Sequence, residues 1–218
     1  MAKSIWGKLN EKIRLYGFPT LVKRVFKRGL AKAGFHSEVY YYCAFDLQDG
    51  HRLKPLPEGY HSRQLTMADL EKATNMGFSA GKLEVFRQRF RREGYTGIGI
   101  FKNDQLVGFA WLSLYEVETP FPLPDDGSLN LDADEGYLLD AYSHPDYRGR
   151  GFHPFYTSWR YKTLADTGRR YAITIIDEDN RAARTTQAKS GFRTRKKIRA
   201  KKTFNQWQVK VEPCSDPL

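Results

Sequence analysis

The segment HPDYRGRGFHP, at residues 144–154, alternates two arginines with two glycines, Arg148, Gly149, Arg150 and Gly151. Because glycine has no side chain, the backbone N–H groups of such a loop can converge on one anion. Arginine adds charge-assisted hydrogen bonds to phosphate oxygens. These residue types predict a phosphate or diphosphate site, and a solvated basic turn is the alternative interpretation of the same residues.

The elements on either side of this loop would position it. GYLLDAYS, before the loop, is typical of a strand, and HPFYTSWRYKTLADTG, after it, is typical of a helix with Pro154 in its first turn and Gly168 past its end. The positive end of the helix dipole would add to anion binding. YAITIID predicts a buried strand, and NRAARTTQAKSG predicts a helix that ends at Gly191. This order of elements predicts an α/β fold with a parallel pair of strands at its centre.

Composition places the chain among globular proteins. The 218 residues are 40% hydrophobic and 14% aromatic, which is enough apolar material for a core. The two cysteines, Cys43 and Cys214, are far apart, so they indicate neither a disulfide framework nor a metal site, and the histidines show no metal-ligand spacing. We expect no metal. Without a signal peptide or an apolar run long enough to span a membrane, a cytoplasmic location is predicted.

The net charge of +11 is concentrated at the two ends of the chain. Residues 1–36 hold nine Lys or Arg against one acid, and residues 193–218 hold eight against two. Apolar residues at helical spacing before residue 34 predict two basic amphipathic helices, which could pack on the core, bind a partner or lie on an anionic membrane surface. We interpret residues 1–60 as these helices followed by a strand and a linker, and residues 61–218 as the main domain.

Two motifs resemble those of the GNAT acyltransferase superfamily. PDYRGRG resembles its acyl-CoA-binding motif, Q/R-x-x-G-x-G/A, with Arg148 in the first place and Gly151 in the fourth. His153 stands where the motif prefers Gly or Ala, which is a departure from the pattern. DEDNRAARTTQAKSGF resembles the next signature of the superfamily, N-x-x-A followed by a helix that ends in G-F. The residues in the expected places of that signature are Asn180, Ala183, Gly191 and Phe192.

The resemblance covers residues 60–210 and implies a fold and a co-substrate. The fold would be a twisted mixed sheet, flanked by helices, in which two central parallel strands around residues 137–143 and 171–177 splay apart. Acyl-CoA, in the first place acetyl-CoA, would enter that gap with its diphosphate on the loop. The residues implied to bind it are Ser143, Arg148, Gly149, Arg150, Gly151, Phe152, His153 and Asn180.

The implied reaction is transfer of the acyl group to an amine, which needs a group to take the amine proton. The superfamily often places a glutamate at the start of the strand before the loop, and Glu135 stands there. The alternative for Glu135 is a solvated residue of an acidic loop. Asp140 on the same strand is the second candidate, and Glu116 and Glu118 follow.

The departing CoA thiolate needs a proton, and this chain departs from the superfamily at that step. Many members use a tyrosine seven residues after the asparagine, but Gln187 stands there, and an amide is no general acid. Tyr142 is a candidate substitute, as are Tyr156 and Tyr161. A thiolate with a pKa near 8.5 can also leave without help.

These observations predict an acyl-CoA-dependent N-acyltransferase that acts on a primary amine of a small molecule or an amino sugar. A protein N-terminus or lysine is an alternative acceptor. A non-catalytic module that binds RNA or an anionic membrane through the basic termini is the alternative from another class. Nucleic acid is the less favoured partner, contact with the inner membrane face through residues 1–33 stays open, and so does a homodimer. The acidic loop ETPFPLPDDGSLNLDADEG is a candidate lid with a preference for cationic acceptors.

Overall fold

A computed structural model describes residues 29, 34–49 and 52–215. The helices predicted before residue 34 lie, apart from Gly29, outside the described residues. The strands are β1 (Phe35–Asp46), β2 (His61–Gln64), β3 (Tyr95–Lys102), β4 (Gln105–Ser113), β5 (Glu135–Ser143), β6 (Tyr171–Asp177), β7 (Arg193–Thr203) and β8 (Gln206–Pro213). The α-helices of the described part are α1 (Met67–Lys72), α2 (Ala80–Arg91), α3 (Phe152–Asp166) and α4 (Arg181–Lys189).

All eight strands form one mixed sheet in the order β2-β3-β4-β5-β6-β1-β7-β8. The strands β5 and β6 are parallel, and they pair over only three residues, from Glu135 opposite Tyr171 to Tyr137 opposite Ile173. Beyond this point β5 stays paired with β4, whereas β6 stays paired with β1. The sheet therefore opens between β5 and β6 toward their carboxyl ends, and the predicted α/β fold with splayed central strands is confirmed.

Strand β1 lies inside the sheet, where it pairs antiparallel with both β6 and β7. Its aromatic run supplies buried side chains to both faces: Tyr42 packs on one side and Cys43 on the other, and neither is exposed. This strand belongs to the extension that is predicted before residue 61. The sheet thus contains residues from both sides of that predicted boundary, while the boundary itself stays a prediction.

The helices cover the two faces of the sheet around β5. On one face Phe86 of α2 is fully buried and stacks on Trp111 of β4, with ring centroids 5.8 Å apart. On the other face α3 lies close against β5, because a Cβ at Gly136 would be only 2.2 Å from a methyl group of Leu164. Close packing at this glycine fixes the position of α3, and so of its N-terminus, relative to the opening between β5 and β6.

The long acidic loop between β4 and β5 packs on the same face as α2. Its apolar residues Phe121 and Leu129 are buried in the core cluster of that face. At the start of α1 a capping box is present, since Thr66 and Asp69 exchange side-chain to backbone hydrogen bonds. No helix among the described residues is long and apolar enough to cross a membrane.

Candidate active site

The loop between β5 and α3 has the backbone of an anion-binding turn. Gly149 and Gly151 have φ angles of 75° and 79°, in the left-handed region that favours glycine. Gly151 is the N-cap of α3, and no side chain caps that end of the helix. The N–H groups of the first turn of α3 therefore remain available to a ligand.

A cavity of about 430 Å³ lies over this loop. It is lined by the end of β5, the loop itself and the first turn of α3. The lining residues are Ala141, Tyr142, Ser143, Tyr147, Arg148, Gly149, Arg150, Gly151, Phe152, His153 and Pro154. All of the residues predicted to bind acyl-CoA, apart from Asn180, thus lie together. We call this space the loop cavity.

The two arginines of the loop are exposed, and neither forms an ion pair with a described residue. The Arg148 Nε donates to the carbonyl oxygen of Ser143 at 3.4 Å, which leaves the other N–H groups of its guanidinium free. The guanidinium carbon of Arg150 lies 5.8 Å from the centre of the Tyr147 ring. Both cations are therefore positioned at the rim of the loop cavity without a competing carboxylate.

A third arginine adds positive charge behind the loop. Arg160 on α3 is 4% exposed, and its Nε donates to the Tyr156 carbonyl oxygen at 3.3 Å. Among the described residues it has no carboxylate partner, and burial lowers the pKa of Arg160 to about 10. The charge of Arg160 also acts on His153 at the start of the helix. The pKa of His153 is lowered, first by burial and then by repulsion from Arg160. No sequence pattern indicates a role for Arg160, since one arginine in an amphipathic helix is ordinarily exposed.

Strand β5 contains a bulge at the point where it has left β6. Asp140 and Ala141 together lie opposite the single residue Ala110 of β4, and Asp140 has a φ of 43°. A bulge adds a residue to one strand and bends it, and such bulges are frequent beside active sites. The bend here turns the end of β5, with Tyr142 and Ser143, toward the loop cavity.

The bulge carries an ionised carboxylate. Oδ2 of Asp140 accepts hydrogen bonds from Lys82 Nζ and Arg89 Nη1, both at 2.6 Å, whereas Oδ1 accepts none from the described residues. Burial raises the pKa of Asp140, but Arg89 and Lys82 outweigh it and hold the pKa below the usual range. Arg89 also binds Glu118 through two hydrogen bonds. The side chains form a row of alternating charges, Lys82, Asp140, Arg89 and Glu118.

Glu135, the first predicted base, lies at the closed end of the opening, where β5 and β6 are still paired. It is 3% exposed, and both of its oxygens are engaged. Oε1 accepts from Arg195 at 3.0 Å, and Oε2 accepts from the Tyr42 hydroxyl at 2.5 Å and from the Asp132 N–H at 3.2 Å. Neither Glu135 nor Asp140 lines the loop cavity. The role of Glu135 as base stays a prediction, and its contacts favour a structural role.

The predicted tyrosines lie at different depths. Tyr142 lines the loop cavity, and its carbonyl oxygen accepts from the Tyr156 hydroxyl at 3.3 Å. Tyr156 is buried against β4, where a Cβ at Gly108 would be 2.0 Å from its hydroxyl. Burial raises the pKa of the Tyr156 phenol, which keeps it protonated. Of the three tyrosines predicted as proton donors, Tyr142 is the one that lines the loop cavity.

Asn180 is the N-cap of α4, and its Oδ1 accepts from the Ala183 N–H at 3.2 Å. This explains the spacing of the second motif in physical terms, because an N-cap side chain binds the backbone N–H three residues later. The side-chain NH₂ group of Asn180 is left for another partner. The role of Asn180 in CoA binding stays a prediction.

A second cavity, of about 720 Å³, lies between α3 and α4. It adjoins the loop cavity, because His153 and Pro154 line both. Two hydroxyls on its wall, Thr157 Oγ1 and Tyr161 Oη, are buried without a hydrogen-bond partner. The other lining residues are Phe45, Arg52, Lys54, Ser158, Thr186 and Ser190.

Sequence reasoning missed the basic wall of this second cavity. Arg52 and Lys54 belong to the linker before β2, and they reach α3 through one tertiary contact, from the Lys54 N–H to Ser158 Oγ at 2.9 Å. No local pattern predicts that contact. In the part of the chain that the structure describes, no group of three or more His, Cys, Asp or Glu side chains is arranged to hold a metal ion.

Comparison with known proteins agrees with this geometry. The model of the acetyltransferase (GNAT) family matches residues 64–192, whereas no curated protein matches the sequence.

Among solved structures, a Drosophila protein shares 15% identity at a TM-score of 0.55, covering 84% of this chain and 57% of that one. A GCN5-related N-acetyltransferase from Sphaerobacter thermophilus shares 15% sequence identity at a TM-score of 0.50, and the match covers 88% of this chain and 57% of that one. A glucosamine N-acetyltransferase region of a fungal multi-domain β-N-acetylglucosaminidase shares 12% sequence identity at a TM-score of 0.55, and the match covers 82% of this chain and 22% of that one. The chain thus spans 57% of the length of the first two, and at these identities the likeness shows the fold alone.

Proposed function

Because the chain belongs to the acetyltransferase (GNAT) family, we propose that it transfers an acyl group, in the first place acetyl, from CoA to a primary amine of a small molecule. The observation that carries this proposal is the loop cavity. It combines two glycines at positive φ, an uncapped helix N-terminus and two unpaired arginines beside the opening between β5 and β6. These are the features that bind a diphosphate.

The adjoining cavity supports the choice of CoA as the donor. CoA extends on both sides of its diphosphate, into a nucleotide and into a pantetheine arm that carries amides and hydroxyls. The second cavity offers Arg52 and Lys54 for a phosphate, and the unpartnered hydroxyls of Thr157 and Tyr161 for polar groups. Burying those hydroxyls without a partner costs free energy that a bound ligand would recover.

The acyl-transfer step needs a neutral amine and an acceptor for its proton. The amine nitrogen attacks the thioester carbon, so that the C–N bond forms, the C–S bond breaks and the thiolate leaves with the electron pair. We assign the proton to Oδ1 of Asp140, which has no other donor among the described residues. The nearby cations Lys82 and Arg89 lower the pKa of an ammonium group, which favours the reactive neutral amine.

A small cavity supports a small-molecule acceptor. About 350 Å³ of space lies between α2 and the β4–β5 loop, beside Arg89, the partner of Asp140. Its wall includes the carboxylates Glu116 and Glu118, which pair with Arg92 and Arg89 of the same wall, so that charged groups of both signs face the space. A space of this size suits a small amine or an amino sugar.

Removing the two loop arginines tests the donor site. We expect Arg148→Ala/Arg150→Ala to weaken binding of acetyl-CoA at least about tenfold, because two charge-assisted contacts with the diphosphate are lost. Isothermal titration calorimetry measures the dissociation constant. The control Lys72→Ala/Arg91→Ala removes the same charge from helices α1 and α2, and should bind as the wild type does. Absence of CoA binding to the wild type at millimolar concentration would overturn the proposed function.

His153 gives the binding site a dependence on pH. In the free protein burial and Arg160 lower its pKa below 6.5, whereas a bound diphosphate would raise that pKa by charge attraction. A group whose pKa rises on binding takes up protons, so affinity increases as the pH falls through this range and decreases as it rises. Calorimetry in buffers of different ionisation enthalpy counts the protons. We expect His153→Gln to take up fewer protons than the wild type when CoA binds. Equal proton uptake by the two proteins would contradict the assignment of the pH dependence to His153.

A further inference from the structure

One surface of the sheet has no part in the proposed reaction. The strands β1, β7 and β8 form a three-stranded edge in which alternate residues of β7 point to the same face. On one face Ile198 and Ala200 are fully buried in the core. On the other face four basic side chains follow the register of β7 and β8: Lys197, Arg199, Lys201 and Lys210.

An aromatic pair lies at one end of this basic face. Phe204, in the turn between β7 and β8, is 65% exposed, and Phe35, at the start of β1, is 41% exposed. Their ring centroids are 5.2 Å apart. We call Phe35, Phe204 and the four basic residues the edge surface.

The described residues leave the edge surface open and positively charged. The side chains of Lys210 and Arg199 are 73% and 47% exposed. Glu212 is the one carboxylate among their partners, at 2.6 Å from Lys210 and 3.4 Å from Arg199. Four cations against one carboxylate leave a net positive face, which attracts an anionic partner.

The basic segment at the start of the chain leads into the sheet beside this aromatic pair. Residues 1–33 contain nine Lys or Arg and one acid. They lead directly into Gly34, whose carbonyl oxygen accepts from the Phe204 N–H at 2.6 Å. The aromatic pair, the basic face and the entry of the basic segment therefore lie together at one end of the sheet.

We propose that the edge surface docks the protein on an anionic phospholipid membrane, with Phe204 and Phe35 in the interface and the basic side chains against the headgroups. Exposed aromatic side chains bordered by lysine match the interface, where rings insert at headgroup level and cations bind anionic lipid. Single-stranded nucleic acid is the weaker fit, since bases stack on aromatic rings spread along a groove. Here both rings are paired at one turn.

The test is co-sedimentation of the full chain with vesicles of phosphatidylcholine alone or of an equimolar mixture with phosphatidylglycerol. We expect binding to the mixed vesicles alone, and a loss of binding at high salt. Lys201→Glu/Lys210→Glu should lower the partition coefficient at least about tenfold. The control Lys72→Glu/Arg91→Glu makes the same change in net charge on α1 and α2 and should keep the wild-type value.

A second pair of variants tests the aromatic part. Phe204 has a φ of 54°, and asparagine tolerates this conformation, so Phe204→Asn preserves the turn. We expect it to lower the partition coefficient about fivefold, through loss of apolar contact with the interface. Tyr115, which is 53% exposed and follows β4, provides the matched control Tyr115→Asn. Residues 1–33 are the same in all of these proteins, so the comparison isolates the edge surface.

Equal partition of the edge variants and their controls would show that the edge surface takes no part in binding. Equal binding to both kinds of vesicle would exclude recognition of anionic lipid. Retention of a labelled oligouridine by the wild type, without vesicle binding, would assign the surface to nucleic acid. If the glutamate variant lowers the thermal midpoint, Lys201→Gln/Lys210→Gln replaces it in the same comparison.

Discussion

Replacing Arg89 with methionine is expected to lower the free energy of unfolding by about 3 kcal/mol. Arg89 is 4% exposed and holds two carboxylates at once, Asp140 at 2.6 Å and Glu118 at 2.7 Å. Methionine fills much of the same volume but leaves both carboxylates in a partly buried position without their main cation. Removing one partner of a buried ion pair costs this much because the remaining charge stays desolvated.

Denaturant unfolding, followed by circular dichroism, measures the loss. Arg87→Met on the same helix is the matched control, since Arg87 is 37% exposed while it pairs with Glu71 and Glu84. Exposed ion pairs contribute little, so this variant should unfold at a denaturant concentration close to that of the wild type. Equal unfolding midpoints for Arg89→Met and Arg87→Met would show that the buried row of charges does not stabilise the fold.

The loss in Arg89→Met should also depend on pH. In the wild type the pKa of Asp140 is lowered, so its pairing contributes stability above the ordinary pKa, and that contribution is lost as the pH falls through the lowered value. Burial has the largest influence on the pKa of Asp140 and raises it. In the variant, Lys82 alone opposes this effect of burial, so the pKa of Asp140 is higher than in the wild type. The difference in stability between the two proteins should therefore be largest at neutral pH and shrink in acid.

The parts of the site that are local in sequence could be predicted. The positions of Gly149, Gly151 and Pro154 predict a loop that leads into a helix N-terminus, because backbone conformation and helix capping depend on neighbouring residues. The spacing of Asn180 and Ala183 predicts an N-cap for the same reason. The order strand, helix, strand, helix predicts the parallel pair. A helix that connects two buried strands can return to the sheet in few arrangements, and the common one places the strands parallel.

The parts that depend on distant residues could not be predicted. Glu135 stands at the start of a predicted strand, but its partners Tyr42 and Arg195 come from β1 and β7, and no local pattern brings these strands beside it. The position of β1 between β6 and β7 likewise depends on strands that are distant in sequence. A partly buried carboxylate that we propose as the base and a buried carboxylate with structural contacts therefore look alike in the sequence. What distinguishes Asp140 from Glu135 is the number of donors already bound to each carboxylate.

This difference leads to an expected result for catalysis. Asp140→Asn should lower kcat for an identified amine acceptor about a hundredfold, because the carboxylate that we propose as the acceptor of the amine proton is lost. Asparagine tolerates the φ of 43° at the bulge and can still accept from Arg89, so the backbone and CoA binding should be preserved. The residual rate should climb with pH toward the pKa of the acceptor amine, which is near 10.4 for a lysine-like amine, as deprotonation by solvent replaces the carboxylate.

Glu135→Gln is the matched comparison, because it changes one carboxylate to an amide on the same strand. Its contacts with Tyr42, Arg195 and the Asp132 N–H favour a structural role, so we expect kcat to stay near the wild-type value while the thermal midpoint falls. Steady-state kinetics at saturating acetyl-CoA, with CoA affinity measured separately, distinguish the two roles. A hundredfold loss in Glu135→Gln with full activity in Asp140→Asn would return the base to Glu135. Full activity in both variants would leave proton removal to water.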